Sequence, residues 1–78
     1  MASLHQGFSQ RLHVTLDLAG IEKGRTRTSK LAARFVVSRE TARKWLNGLA
    51  LPELERMIDM AVRFGVSFEW LATGRCLL

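Results

Sequence analysis

TSKLAARFVVSRETARKWL, residues 28–46, is the stretch on which the fold turns. Leu31, Ala32 and Phe35 mark one apolar stripe at helical spacing, which predicts a helix over about Thr28–Phe35. Val36 and Val37 make a short connection. Ser38 is a good N-cap for a third helix over about Arg39–Asn47, which Gly48 ends. Two short helices joined by about three residues must cross steeply, as in a helix-turn-helix. On a wheel at about 100° per residue, Arg39, Arg43, Asn47, Glu40 and Lys44 fill an outward arc of roughly 140°. Ala42, Trp45 and Leu46 fall on the opposite side, with Thr41 at the border. Trp45 reads as a core anchor.

The outward residues have the chemistry of base recognition. Arg donates two parallel hydrogen bonds to guanine, Glu accepts from the cytosine amino group, and Asn brackets adenine. A helix about 10–12 Å across fits a major groove about 12 Å wide. Arg25, Arg27 and Lys30 lie at or near the start of the second helix, where free backbone N–H groups also favour phosphate.

Working outward, Phe8, Leu12, Leu16 and Ala19 predict a first helix over about Phe8–Ala19, stopped by Gly20. Glu22–Arg27 is polar, contains Gly24 and reads as an exposed loop, with Thr28 or Ser29 capping the helix that follows. Pro52 suits the first position of a fourth helix, with Glu53 and Glu55 in its first turn. Leu54, Ile58, Ala61 and Phe64 mark its expected buried face, and Gly65 closes it. Ser67 caps a short fifth helix, Phe68–Thr73, ended by Gly74. The expected fold class is therefore all-α, with five helices in one compact domain spanning 1–78 and a core at about 8–75.

Composition agrees with a DNA-binding role. The chain has 78 residues, 47% of them hydrophobic, and a net charge of +5. Lys23, Arg25, Arg27, Lys30, Arg34, Arg39, Arg43 and Lys44 crowd the stretch from Lys23 to Lys44, where Glu40 is the sole acid. Such a basic excess favours a polyanionic partner. A domain of this size buries only about 60% of its unfolded surface and has little room for a deep catalytic cleft. No apolar run approaches the roughly 20 residues of a membrane span, and no secretory signal opens the chain. Cys76 has no second cysteine to pair with, so a reducing cytoplasm is expected. His5 and His13 lack metal-ligand spacing, and no nucleophile has a plausible base. No enzyme activity, cofactor, metal or small-molecule ligand is expected.

The same residues resemble the helix-turn-helix of phage Cro/CI-type repressors, the XRE-like superfamily. WLNGLALPELERMIDMAVRFGVSFEWLATG, residues 45–74, continues the likeness through Trp45 and Gly48, Pro52, Gly65-Val66-Ser67 and Trp70-Leu71. The resemblance covers about Phe8–Arg75. It implies a five-helix, lambda-repressor-like domain that binds operator DNA as a two-fold dimer. It puts Arg39, Glu40 and Lys44 at base-reading positions. Thr28 falls at a phosphate contact, and Arg43 and Asn47 at flanking positions. Ser38 and Thr41 belong to that flanking set, and Ala32 is the small residue between the two helices. Val36 departs from the family, which usually has glycine at the first turn position. A β-branched residue is costly there at positive φ, so the turn either changes conformation or carries strain. Ala42 also replaces a more usual Val or Ile.

The expected function is a sequence-specific regulator, a phage-type repressor on a pseudo-palindromic operator. Trp70, Leu71, Leu77 and Leu78 are the expected dimer contact. Two other readings fit the sequence. One is an antitoxin that binds a partner protein through its C-terminal apolar surface and regulates its own operon. The other is the N-terminal piece of a longer repressor.

Overall fold

The computed structural model describes residues 4–75, and Cys76, Leu77 and Leu78 therefore lie outside the described residues. Five helices follow in order: α1 (Leu4–Leu18), α2 (Arg25–Phe35), α3 (Arg39–Leu46), α4 (Leu54–Phe64) and α5 (Phe68–Thr73). No strand occurs among the described residues. α1 runs along the middle, packing on α3 and α5; α2 packs on α3, and α4 on α5. Phe8, Leu12, Leu16, Leu31, Met60 and Leu71 are completely buried at the centre.

The helix stops follow the glycines. Gly20, Gly48, Gly65 and Gly74 all adopt positive φ. Gly48 has a second reason to be glycine. A Cβ there would lie 3.2 Å from the Gln6 Cα, so the turn after α3 passes close against α1. Ser38 and Ser67 cap α3 and α5 by accepting from the backbone N–H of Thr41 and Trp70.

Four sequence expectations need correction. First, α1 begins well before Phe8, and Ala19 is exposed beyond its end. Second, α2 begins at Arg25, three residues before Thr28. Its N-cap is Gly24, at φ 94° and ψ −155°, with no side-chain cap. That backbone conformation belongs to glycine, and neither Thr28 nor Ser29 is a cap. Third, Pro52 does not open α4; it is buried ahead of the N-cap, Glu53.

Fourth, α4 turns Ala61 and Phe64 toward the core as expected but is rotated so that Leu54 and Ile58 face out. Met57, Met60 and Ala61 are buried, with Phe64 packed against them, while Leu54, Ile58 and Val62 are 64%, 44% and 75% exposed. Both rows have helical spacing, so periodicity alone does not choose between them. Arg56 and Arg63 favour the observed rotation. Arg56 Nη1 donates to the Phe35 carbonyl at 2.7 Å and Arg63 Nη1 to the Arg34 carbonyl at 2.9 Å. These bonds satisfy carbonyls at the end of α2 that have no partner within the helix. Arg63 also stands over the Phe35 ring and Arg34 over the Phe64 ring.

Val36 resolves the turn. It keeps the left-handed conformation, φ 54° and ψ 52°, and is the sole non-glycine residue with positive φ among the described residues. Its side chain is 89% exposed, so no packing offsets the strain. The turn survives because the Val36 and Val37 N–H groups return to the Ala33 and Ala32 carbonyls, closing α2.

The left-handed conformation costs an L-residue about 1–2 kcal/mol. Glycine removes that cost but loses about 0.5–1 kcal/mol more backbone freedom on folding. Val36→Gly should therefore stabilise the fold by about 0.5–1 kcal/mol. Urea unfolding measures this; a lower midpoint would mean that Val36 carries no strain.

Candidate nucleic-acid interface

α3 divides cleanly between two faces. Ala42, Trp45 and Leu46 are buried. Arg39, Glu40, Arg43, Lys44 and Asn47 are exposed, and Thr41 is half-buried. The N-terminal end is fixed by its cap. Ser38 Oγ accepts from the Thr41 N–H at 3.0 Å and donates to Thr41 Oγ1 at 2.9 Å.

The C-terminal end is held from behind. The Leu46 carbonyl accepts from Ser9 Oγ at 2.6 Å and from His13 Nε2 at 3.0 Å, both on α1. His13 Nδ1 lies 2.9 Å from Arg27 Nη1. A guanidinium only donates, so Nδ1 must accept, and the ring proton sits on Nε2, pointed at Leu46. The ring thus joins α2 to the end of α3.

Arg27 corrects a further expectation. It is 1% exposed and is the largest fully buried side chain. Its Nη2 donates to Asp17 Oδ1 at 2.6 Å and to the Ile21 carbonyl, and its Nε donates to the Glu22 carbonyl at 3.3 Å. A buried cation needs this full set of acceptors. Arg27 therefore ties α1, the following turn and α2 together, and its donors are not offered to a phosphate. Among the described residues, no buried side-chain polar atom lacks a partner.

An open cleft of about 500 Å³ separates the start of α2 from α3. Gly24, Arg25 and Thr28 line one side and Arg39, Glu40, Arg43 and Asn47 the other; His13, Arg27 and Leu46 complete the lining. The first turn of α2 has no side-chain cap, which suits it to an anion. Lys30 is exposed on α2, and Lys44 is exposed on α3 but does not line the cleft.

The other expected residues divide. Leu71 is completely buried and belongs to the core, not to a subunit surface. Trp70 is half-buried against the same core. Leu77 and Leu78 lie outside the described residues. The clamp residues Ser9, His13 and Asp17 were missed. Their spacing of four was visible as a polar row beside the apolar row Phe8, Leu12 and Leu16.

Asp17 makes the clamp sensitive to acid. Its hydrogen bond to Arg27, aided by that residue's charge, holds the carboxyl below its ordinary value. A carboxylate depressed in the fold contributes stability above the ordinary carboxylate range and loses it as pH falls through the depressed value. Stability should thus fall as the solution is acidified from about pH 4 downward. Asp17→Asn should flatten that limb in a series of melts; an unchanged limb would mean that the pair does not couple to folding.

Among the described residues, no helix is long and apolar enough to cross a membrane, and no group of acidic, histidine or cysteine side chains is arranged for a metal. A comparison with family models matches Helix-turn-helix (HTH_3) over residues 18–71. No curated protein and no solved structure matches the chain. The matched span contains α2, the turn at Val36, α3 and α4 whole, and every residue lining the cleft except His13. The chain belongs to the helix-turn-helix family, as a Cro/CI-type domain of DNA-binding transcription regulators.

Proposed function

We propose that this domain is a phage- or prophage-type repressor that binds a pseudo-palindromic operator as a two-fold dimer and excludes polymerase. The observation that carries the proposal is the division of α3: a buried row holds the helix, and a charged row faces outward beside a cationic cleft. α3 enters the major groove, where Arg39, Glu40 and Lys44 read bases. Arg25, Thr28, Lys30 and Asn47 hold phosphates, with Ser38 and Thr41 at the flank. No chemistry is performed on the DNA.

Dimerisation has a physical motive. One short helix reads only a few base pairs, and two copies about 34 Å apart read two half-sites on one face of the duplex. Trp70 remains a candidate contact; buried Leu71 does not.

The tests follow from this division of labour. Affinity should fall steeply with salt, at a log–log slope of roughly −5 if about six phosphates are neutralised. Arg39→Ala should cost about 1–3 kcal/mol and relax preference at one base position. Lys30→Ala should weaken every duplex alike. Titration of operator variants by fluorescence anisotropy separates the two effects. If Arg39→Ala merely scales affinity across all variants, Arg39 does not read a base.

A further inference from the structure

Glu40 and Arg43 stand one turn apart on the outward face of α3, and their side chains are joined. Arg43 Nε donates to Glu40 Oε1 at 2.8 Å, and Arg43 Nη2 donates to Glu40 Oε2 at 2.7 Å. This is a side-on, two-point pair between side chains 47% and 58% exposed. The two contacts place the carboxylate and the guanidinium in one alignment with each other.

The geometry of the guanidinium decides what remains. It carries five N–H donors around a planar fork. The side-on pair uses the Nε hydrogen and one Nη2 hydrogen. The adjacent end-on edge, formed by Nη1 and the other Nη2 hydrogen, still presents two parallel donors. That edge matches the O6 and N7 acceptors of guanine. Both oxygens of Glu40, by contrast, already accept from Arg43. A direct contact from Glu40 to a cytosine amino group would have to break the pair or share its oxygens.

Charge distinguishes a base from a phosphate. The pair carries no net charge, and its carboxylate stands beside the guanidinium. A phosphate contact gains from free positive charge, and the carboxylate would repel the anion it was meant to hold. A guanine edge is neutral, and there the gain comes from holding a fork in the correct plane. Arg25 supplies cationic charge across the cleft and has no carboxylate partner among the described residues.

We propose that Arg43 reads a guanine through its Nη1–Nη2 edge and that Glu40 is the positioning residue that holds this edge toward the groove. The inference rests on α3 entering the major groove; it moves Arg43 from the flanking contacts to the base-reading set and takes Glu40 out of that set. Glu40 then influences sequence through Arg43.

Selection from a random duplex library tests this with the full chain, Arg43→Lys, Glu40→Gln and the double variant. All four are first checked for native helix content by circular dichroism; the pair is exposed, so folding should survive. The full chain should select a guanine that Arg43→Lys no longer prefers. Glu40→Gln should relax that same position. Each single variant should lose roughly 10–100-fold in affinity for the selected duplex. The double variant should lose little more than Arg43→Lys alone, because the two side chains act as one unit. Relaxation by Glu40→Gln at a different base pair would mean that Glu40 reads independently, and would overturn the proposal. An unchanged motif with Arg43→Lys would overturn it too, because Arg43 would then be a backbone contact. If the full chain selects no motif while binding duplex, the failure lies in base reading by α3, on which the pair depends.

Discussion

The carbonyl of Leu46 is the point on which the recognition surface depends. α3 is eight residues long, too short to be stable as an isolated helix. Its last carbonyls have no partners within the helix. α1 supplies two donors to one of them, Ser9 Oγ and His13 Nε2. Behind His13 stands Arg27, and beyond Arg27 stands Asp17. This polar chain, buried at Ser9 and Arg27 and open to solvent at Asp17, joins α1, α2 and the end of α3, while Trp45 and Leu46 fix the same helix by packing. A short rod becomes rigid because it is held by hydrogen bonds at one end, by the Ser38 cap at the other, and by apolar contact between them.

That rigidity is what makes an outward row of long side chains useful. Arg39, Arg43 and Lys44 would otherwise project from a fraying helix and lose conformational entropy on every contact. Here the backbone is settled in advance, and the Glu40 pair settles one side chain as well. The cleft beside α3 combines an uncapped helix start with Arg25 and Thr28. A phosphate seated there would set the depth and angle at which α3 meets the bases.

Much of this was legible in the sequence, and the exceptions have physical causes. The split of α3, the Ser38 and Ser67 caps and the glycine stops each follow from a local rule and appear where expected. The start of α2 did not. Arg27 looks like one more surface cation until its acceptors are located, and most of those are backbone carbonyls with no signature in the sequence. α4 offered two apolar rows at helical spacing, and the one that faces inward is matched to the arginine contacts on the end of α2. At Val36 the preference of a β-branched side chain conflicts with the bonds that close α2, and those bonds win. In the candidate site, the charged row on α3 was readable, but its pairing of Glu40 with Arg43 depended on side-chain geometry.

Methylation interference tests the docking of α3 most directly. Dimethyl sulfate marks guanine N7 in the major groove and adenine N3 in the minor groove. A helix whose outward side chains lie among base edges in the major groove should be blocked by methylated guanines within the site and be indifferent to methylated adenines. Interference from adenine N3 alone, or from neither base, would contradict major-groove entry by α3.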